Sequence, residues 1–330
     1  MRANVVSLVA LAALAVIAVA GHPSRAAAES ETGAALQCDR SCLEGIVNRY
    51  LDAMVAHDPA RAPLSPAIQF AENDQPLKIG EGLWATASGL GTYKHYFSDP
   101  EDGQAGFIGN IKENGIGAIL ILRLKVENQQ ITEAEQFVAR DPNGAALYEK
   151  IGKPDPVWLE AIPAERRQSR DALMAAGYMY FEALQRNDGK GIYPFTDNCD
   201  RIEHGRRTTN QPSPQPYGHA DMNANDFVMK NCKAQFEVGL MQFVTSVRDR
   251  RFLVVDVERG AVMGNSCFDF DGTVETIKMT NGNIWKVSPY FRTPRTHQMN
   301  EAFKIENGSI RYIEMTLIEV PFGTRPVWHK

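Results

Sequence analysis

Two side chains able to exchange a proton near neutral pH, His297 and Glu301, stand four residues apart in the segment Thr296–Ile305. Met299, Phe303 and Ile305 give that segment the period-two pattern of a strand with one inward face, and His297 and Glu301 fall on the same face. Four residues of strand span roughly 13 Å, so the spacing predicts opposite walls of a cavity rather than a hydrogen-bonded dyad. An imidazole titrates near neutrality and burial raises the pKa of a carboxylate, so either residue suits general acid or base work. Met299 and Phe303 would add apolar wall. A structural role also fits the residue types, with His297 at the rim and Glu301 in an ion pair with Arg292 or Arg295.

Other chemistry-bearing residues carry weaker signals. Asp269 and Asp271 flank Phe270; Asp271 reads as a turn former and Asp269 as a second-rank site candidate. Trp84, after Gly80 and Gly82, either lines a cavity or plugs it. Tyr50 and Tyr180 lie on the apolar faces of helices. His204 and His57 read as a turn residue and a solvated helix end. No nucleophile elbow, phosphate-binding glycine loop or paired-histidine zinc motif occurs, which argues against a covalent or nucleotide-dependent mechanism and predicts no cofactor and no metal.

The elements that must hold these residues come as a repeat. Tyr50–Asp58 is echoed by Tyr180–Asp188, and both end amphipathic helices. Gly103–Gly115 matches Gly260–Gly272 without a gap, with Asp99 and Asp256 each four residues before the first glycine. Lys125-Val126-Glu127-Asn128 matches Lys304-Ile305-Glu306-Asn307, and Glu135 matches Glu314 in an inward-facing register. Each copy therefore reads as a long helix, a bend, a short strand pair and longer antiparallel strands, an α+β unit in which a curved sheet wraps a helix. The repeat supplies its own control. Gap-free counterparts of His297 and Glu301 are Ala118 and Leu122, so the common fold does not need the polar pair, and an unpartnered buried polar group costs ~1–3 kcal/mol.

Gly80-Glu81-Gly82-Leu83-Trp84, Arg123–Glu127, Cys199-Asp200-Arg201-Ile202-Glu203 and Arg250–Asp256 together resemble exported tandem proteins of the SnoaL-like, or nuclear-transport-factor-like (NTF2-like), superfamily. The resemblance covers nearly the whole mature chain and implies two cone-shaped domains, 29–150 and 171–330, joined by a Pro-containing linker at 151–170. It also implies a range of activities that includes isomerases, dehydratases, cyclases and lyases beside plain binding modules. Its motifs are turns and core strands, which speak to fold rather than to chemistry. The expected function is thus a cofactor-free acid–base enzyme, an isomerase, lyase or dehydratase, acting on a small, largely apolar molecule in the second domain. The alternative is a non-catalytic exported module that binds a hydrophobic ligand or a protein.

Arg2 followed by an apolar run from Val5 to Ala20 and small-residue sites at 18–20 and 26–28 predicts a signal peptide over 1–28, hence a secreted or periplasmic protein with no membrane anchor after cleavage. In such a compartment the five cysteines are expected to pair as Cys38–Cys42 and Cys199–Cys232, leaving Cys267 reduced. A net charge of −5 offers no basic field for nucleic acid. A homo-oligomer is left open. The insertion 206–231, rich in Pro, Asn and Asp, is expected to be either a lid over the site or a disordered loop.

Overall fold

The computed structural model describes residues 38–215 and 226–328. The signal-peptide expectation, and residues 216–225 of the insertion on which its lid reading depends, lie outside the described residues. In the first half the order is α1 (Arg40–Val55), β1 (Leu64–Glu72), β2 (Gln75–Pro76), α2 (Leu83–Thr86), β3 (Ala87–Asp99), β4 (Gln104–Glu113), β5 (Ile116–Glu127) and β6 (Gln130–Ala139). After α3 (Pro142–Ile151) the second half runs α4 (Arg170–Gln185), β7 (Phe195–Glu203), β8 (Arg206–Arg207), α5 (Cys232–Glu237) and β9 (Ser246–Asp256). It ends with β10 (Ala261–Phe270), β11 (Thr276–Lys278), β12 (Ile284–Lys286), β13 (Arg295–Glu306) and β14 (Ser309–Val320).

The two long helices form for matching reasons. Asp39 and Ser169 accept from backbone N–H groups in the first turns, and burial recurs at helical spacing, Leu43, Ile46, Val47 and Tyr50 in α1 and Leu173, Ala176, Gly177 and Tyr180 in α4. Gly177 is required by contact, since a Cβ there would meet the Phe252 ring at 2.3 Å. The halves build six-stranded sheets of matching order, β2-β1-β6-β5-β4-β3 and β8-β7-β14-β13-β10-β9. Mixed pairing corrects the expected antiparallel sheet. β1 runs parallel to β6, and β7 to β14, because the strand leaving each long helix lies beside the last of the hairpin-connected strands.

Both faces of the central strands are buried. Along β5, Leu120, Leu122 and Leu124 join Leu43, Tyr50 and Met54 of α1 in the first core, while Ile119 and Ile121 join a different cluster with Trp158, Val254 and Tyr312. That second cluster holds the two sheets against each other. The described residues accordingly form one compact unit. Val157 and Trp158 of the expected linker are buried within this cluster rather than exposed as a tether.

Asp99 and Asp256 cap their hairpins, accepting from Asp102 N–H and Arg259 N–H. They also cross-link the halves reciprocally. Arg40 of α1 donates to Asp256 at 2.6 and 2.9 Å, and the matching Arg170 of α4 donates to Asp99 at 2.6 Å. Ser98 N–H donates to Asp256 and Val255 N–H to Asp99. The expected inward register of Glu135 and Glu314 is reversed. Both lie on the faces between the sheets, Glu135 with Arg123 and Arg251, Glu314 with Tyr93 and His95, because the bulges at Lys125/Val126 and Lys304/Ile305 shift the alternation.

Cys38 is bonded to Cys42 and Cys199 to Cys232, and Cys267 is free and buried. Among the described residues no helix is long and apolar enough to cross a membrane. The two disulfides fit a protein exported to an oxidising compartment.

Candidate functional site

A cavity of about 400 Å³ opens in the second half. Tyr180 and Leu184 of α4 form one wall, Phe268 and Phe270 of β10 another, and His297 and Met299 of β13 with Met315 and Leu317 of β14 a third. The segment between β10 and β13, which has no counterpart in the first half, adds Trp285, Tyr290 and Phe291. Arg201, Glu203, His204 and Asp141 make a polar end.

β13 brings His297 and Met299 to the cavity, and Glu301 lies one further inward position along the strand, 1% exposed. Its Oε1 accepts from the Tyr180 hydroxyl at 2.9 Å, while Oε2 has no hydrogen-bond partner among the described residues. Burial pushes the Glu301 carboxyl up to about 8, with Tyr180 and Arg201 acting weakly against it and Glu203 with it. Glu301 is therefore a neutral acid at pH 7, with a proton to donate. Tyr180, held well above the ordinary phenol range by burial and by Glu301, stands between that acid and the cavity.

His297 occupies the other end. Its Nε2 lies 3.0 Å from the Tyr290 hydroxyl, which itself donates to Glu319 at 2.6 Å, and the ring packs on Phe270 at 4.6 Å. Neither arginine expected to pair with Glu301 does so. Arg295 bonds Glu319 at 2.8 Å and Arg292 bonds Glu275 at 3.3 Å.

The remaining sequence candidates lie elsewhere. Phe303 is fully buried behind the cavity, with its ring centroid 4.8 Å from that of Tyr180. Asp269 points to the opposite sheet face, where it takes Arg248 at 2.7 Å and the Thr296 hydroxyl at 2.6 Å. Trp84 fills the interior of the other half. Its Nε1 donates to the Tyr50 hydroxyl at 2.9 Å, and Tyr50 donates to Gln136, whose amide reaches Glu72. The first half thus has a tryptophan where the second has space.

His204, expected as a turn residue, does sit in a left-handed turn (φ 47°) but also lines the cavity. Leu317 N–H donates to its Nε2 at 3.0 Å, so its proton is on Nδ1, facing Asp141 at 2.9 Å. The His204 bond, with the N–H groups of Asn143 and Gly144, holds the Asp141 carboxyl below the usual range. Both nitrogens are committed, which makes His204 a wall rather than a base. No cluster of His, Cys, Asp and Glu among the described residues has the geometry to hold a metal.

Residues 166–317 match the family described as Domain of unknown function (DUF8021). The match contains the whole cavity-bearing set of strands except the end of β14. No curated protein matches the sequence. Among solved structures, the chain is similar to a de novo designed protein with a curved β-sheet at 13% identity and a TM-score of 0.27, covering 34% of this chain and 96% of the design. It is similar to AclR from Streptomyces galilaeus at 13% identity and a TM-score of 0.26, covering 38% of this chain and 92% of AclR.

Proposed function

We propose that the protein is an exported, cofactor-free acid–base enzyme, an isomerase, lyase or dehydratase, whose second half takes a small, largely apolar organic molecule. The observation that carries the reading is the placement of a neutral acid and an imidazole along one strand of an aromatic-walled cavity, where the matching strand of the first half has Ala118 and Leu122. Substrate would lie against Phe268, Phe270 and Trp285, with His297 taking a proton at one end. At the other end Tyr180 turns from Glu301 to give its phenolic proton, and the proton of the neutral Glu301 then replaces it as the hydrogen bond between them reverses. We read each half as a SnoaL-like, NTF2-like cone, with the boundary at 151–170, and the mature protein as secreted or periplasmic.

One contact favours a second reading, a binding module without catalysis. In the first half Tyr50 bonds Gln136 of β6, and Glu301 gives Tyr180 the equivalent bond from β13. A carboxyl kept only to satisfy that phenol would need no reaction. Replacing His297 with Ala and Glu301 with Gln separately distinguishes the two. Loss of turnover with ligand affinity retained supports the enzyme, whereas variants that bind and process ligand as the wild type does overturn the assignment.

A further inference from the structure

His297 is not held by the wall alone. The Tyr290 hydroxyl lies between His297 Nε2 at 3.0 Å and a Glu319 carboxylate oxygen at 2.6 Å, and Arg295 both bonds that oxygen at 2.8 Å and covers the Tyr290 ring at 3.8 Å. A carboxylate cannot donate, so the shorter bond takes the single phenolic proton. The Tyr290 oxygen is then left as an acceptor toward the imidazole. Glu319 is ionised in this arrangement. Partial burial raises its pKa, but the bonds from Tyr290 and Arg295 outweigh that and bring it below the usual range.

We propose that Tyr290 and Glu319 are positioning residues that hold neutral His297 in the tautomer with its proton on Nε2, making Nδ1 its basic nitrogen. The proposal rests on the reading of His297 as the proton-accepting group of the cavity. It gives a role to the segment between β10 and β13, which supplies Tyr290 in the second half only. Other charged and titratable groups stand around the cavity: Tyr180 on α4, Arg201 and Glu203 on β7, with His204 and Asp141, line it, while Glu301 and Arg295 on β13 and Glu319 on β14 lie behind its lining. The Tyr290 hydroxyl is bonded to Nε2.

The test is nitrogen NMR of the ligand-free full chain labelled at histidine, with the His297 signals assigned by loss in His297→Asn. The wild type should show a protonated Nε2 and a lone-pair Nδ1 at high pH. Glu319→Gln keeps an acceptor for the phenol but removes the charge, so the tautomer should persist while the His297 midpoint falls by ~0.5 pH unit at low salt. Tyr290→Phe should weaken the tautomer preference. A wild-type Nδ1–H tautomer, or a midpoint unmoved in Glu319→Gln, overturns the proposal even if Tyr290→Phe fails to fold. The expected tautomer in a protein that turns nothing over supports the positioning geometry and removes the catalytic reading alone.

Discussion

Replacing Glu301 with Gln should change how stability responds to pH. The Glu301 carboxyl is raised from an ordinary value of 4.5 to about 8, chiefly by burial. Below pH 4.5 it is protonated in both folded and unfolded chains and contributes no pH dependence. Between 4.5 and 8 the unfolded chain loses this proton while the folded chain keeps it, so stability falls as pH rises. Across the whole window the loss approaches ~5 kcal/mol at 1.36 kcal/mol per pKa unit, as an upper bound. Glutamine keeps the oxygen that accepts from Tyr180 and cannot ionise. Urea denaturation at intervals from pH 5 to 9 should therefore give a variant close to wild type at pH 5 and more stable by ~2–5 kcal/mol at pH 8 to 9. Asp74, raised to about 6 mainly by burial, is present in both proteins and cancels in the comparison. Parallel wild-type and variant profiles would refute the reasoning.

Activity that uses the neutral acid should decline as pH rises through about 8, as a rate profile would record, and a rate still climbing there would count against Glu301 as the donor. Leu122→Ala should cost ~2–5 kcal/mol as a core truncation, whereas His297→Ala should leave the melting temperature within a few degrees; equal damage from both would make the polar face structural. Arg40→Ala leaves the buried Asp256 carboxylate short of its main partner and should cost ~3 kcal/mol in urea denaturation. Cys267, whose thiol burial pushes up to about 12, should resist alkylation in the native protein at pH 8, and rapid labelling by mass spectrometry would show the site to be open.

The α+β class and the repeat were legible because period-two burial, glycine turns and helical spacing are local signals. β13 was the clearest case, since Met299, Phe303 and Ile305 announced the inward face. Parallel pairing of β1 with β6 left no such mark, because it joins segments far apart in the chain. Glu135 and Glu314 face the opposite way from their sequence register for a related reason, as a bulge reverses every later side chain and composition does not reveal it. The cavity itself was half visible. His297 and Met299 reach it, and the signal for Tyr290, Trp285 and Phe291 is the offset between matching residues, which grows from 157 at Gly103/Gly260 to 179 at Lys125/Lys304. Those 22 extra residues lie between β10 and β13 and build a wall that the first half lacks. Asp269 reads as a site candidate in the sequence because alternation alone does not say which face of a doubly buried strand meets the cavity.

Native mass spectrometry of the wild-type protein after exposure to an unbiased mixture of small organic molecules, followed by chromatography and NMR of whatever is released, tests the central claim most directly. The account predicts a small apolar ligand bound once per chain and released with a changed structure by the wild type, and released unchanged by His297→Ala. A ligand released unchanged by both proteins would contradict it.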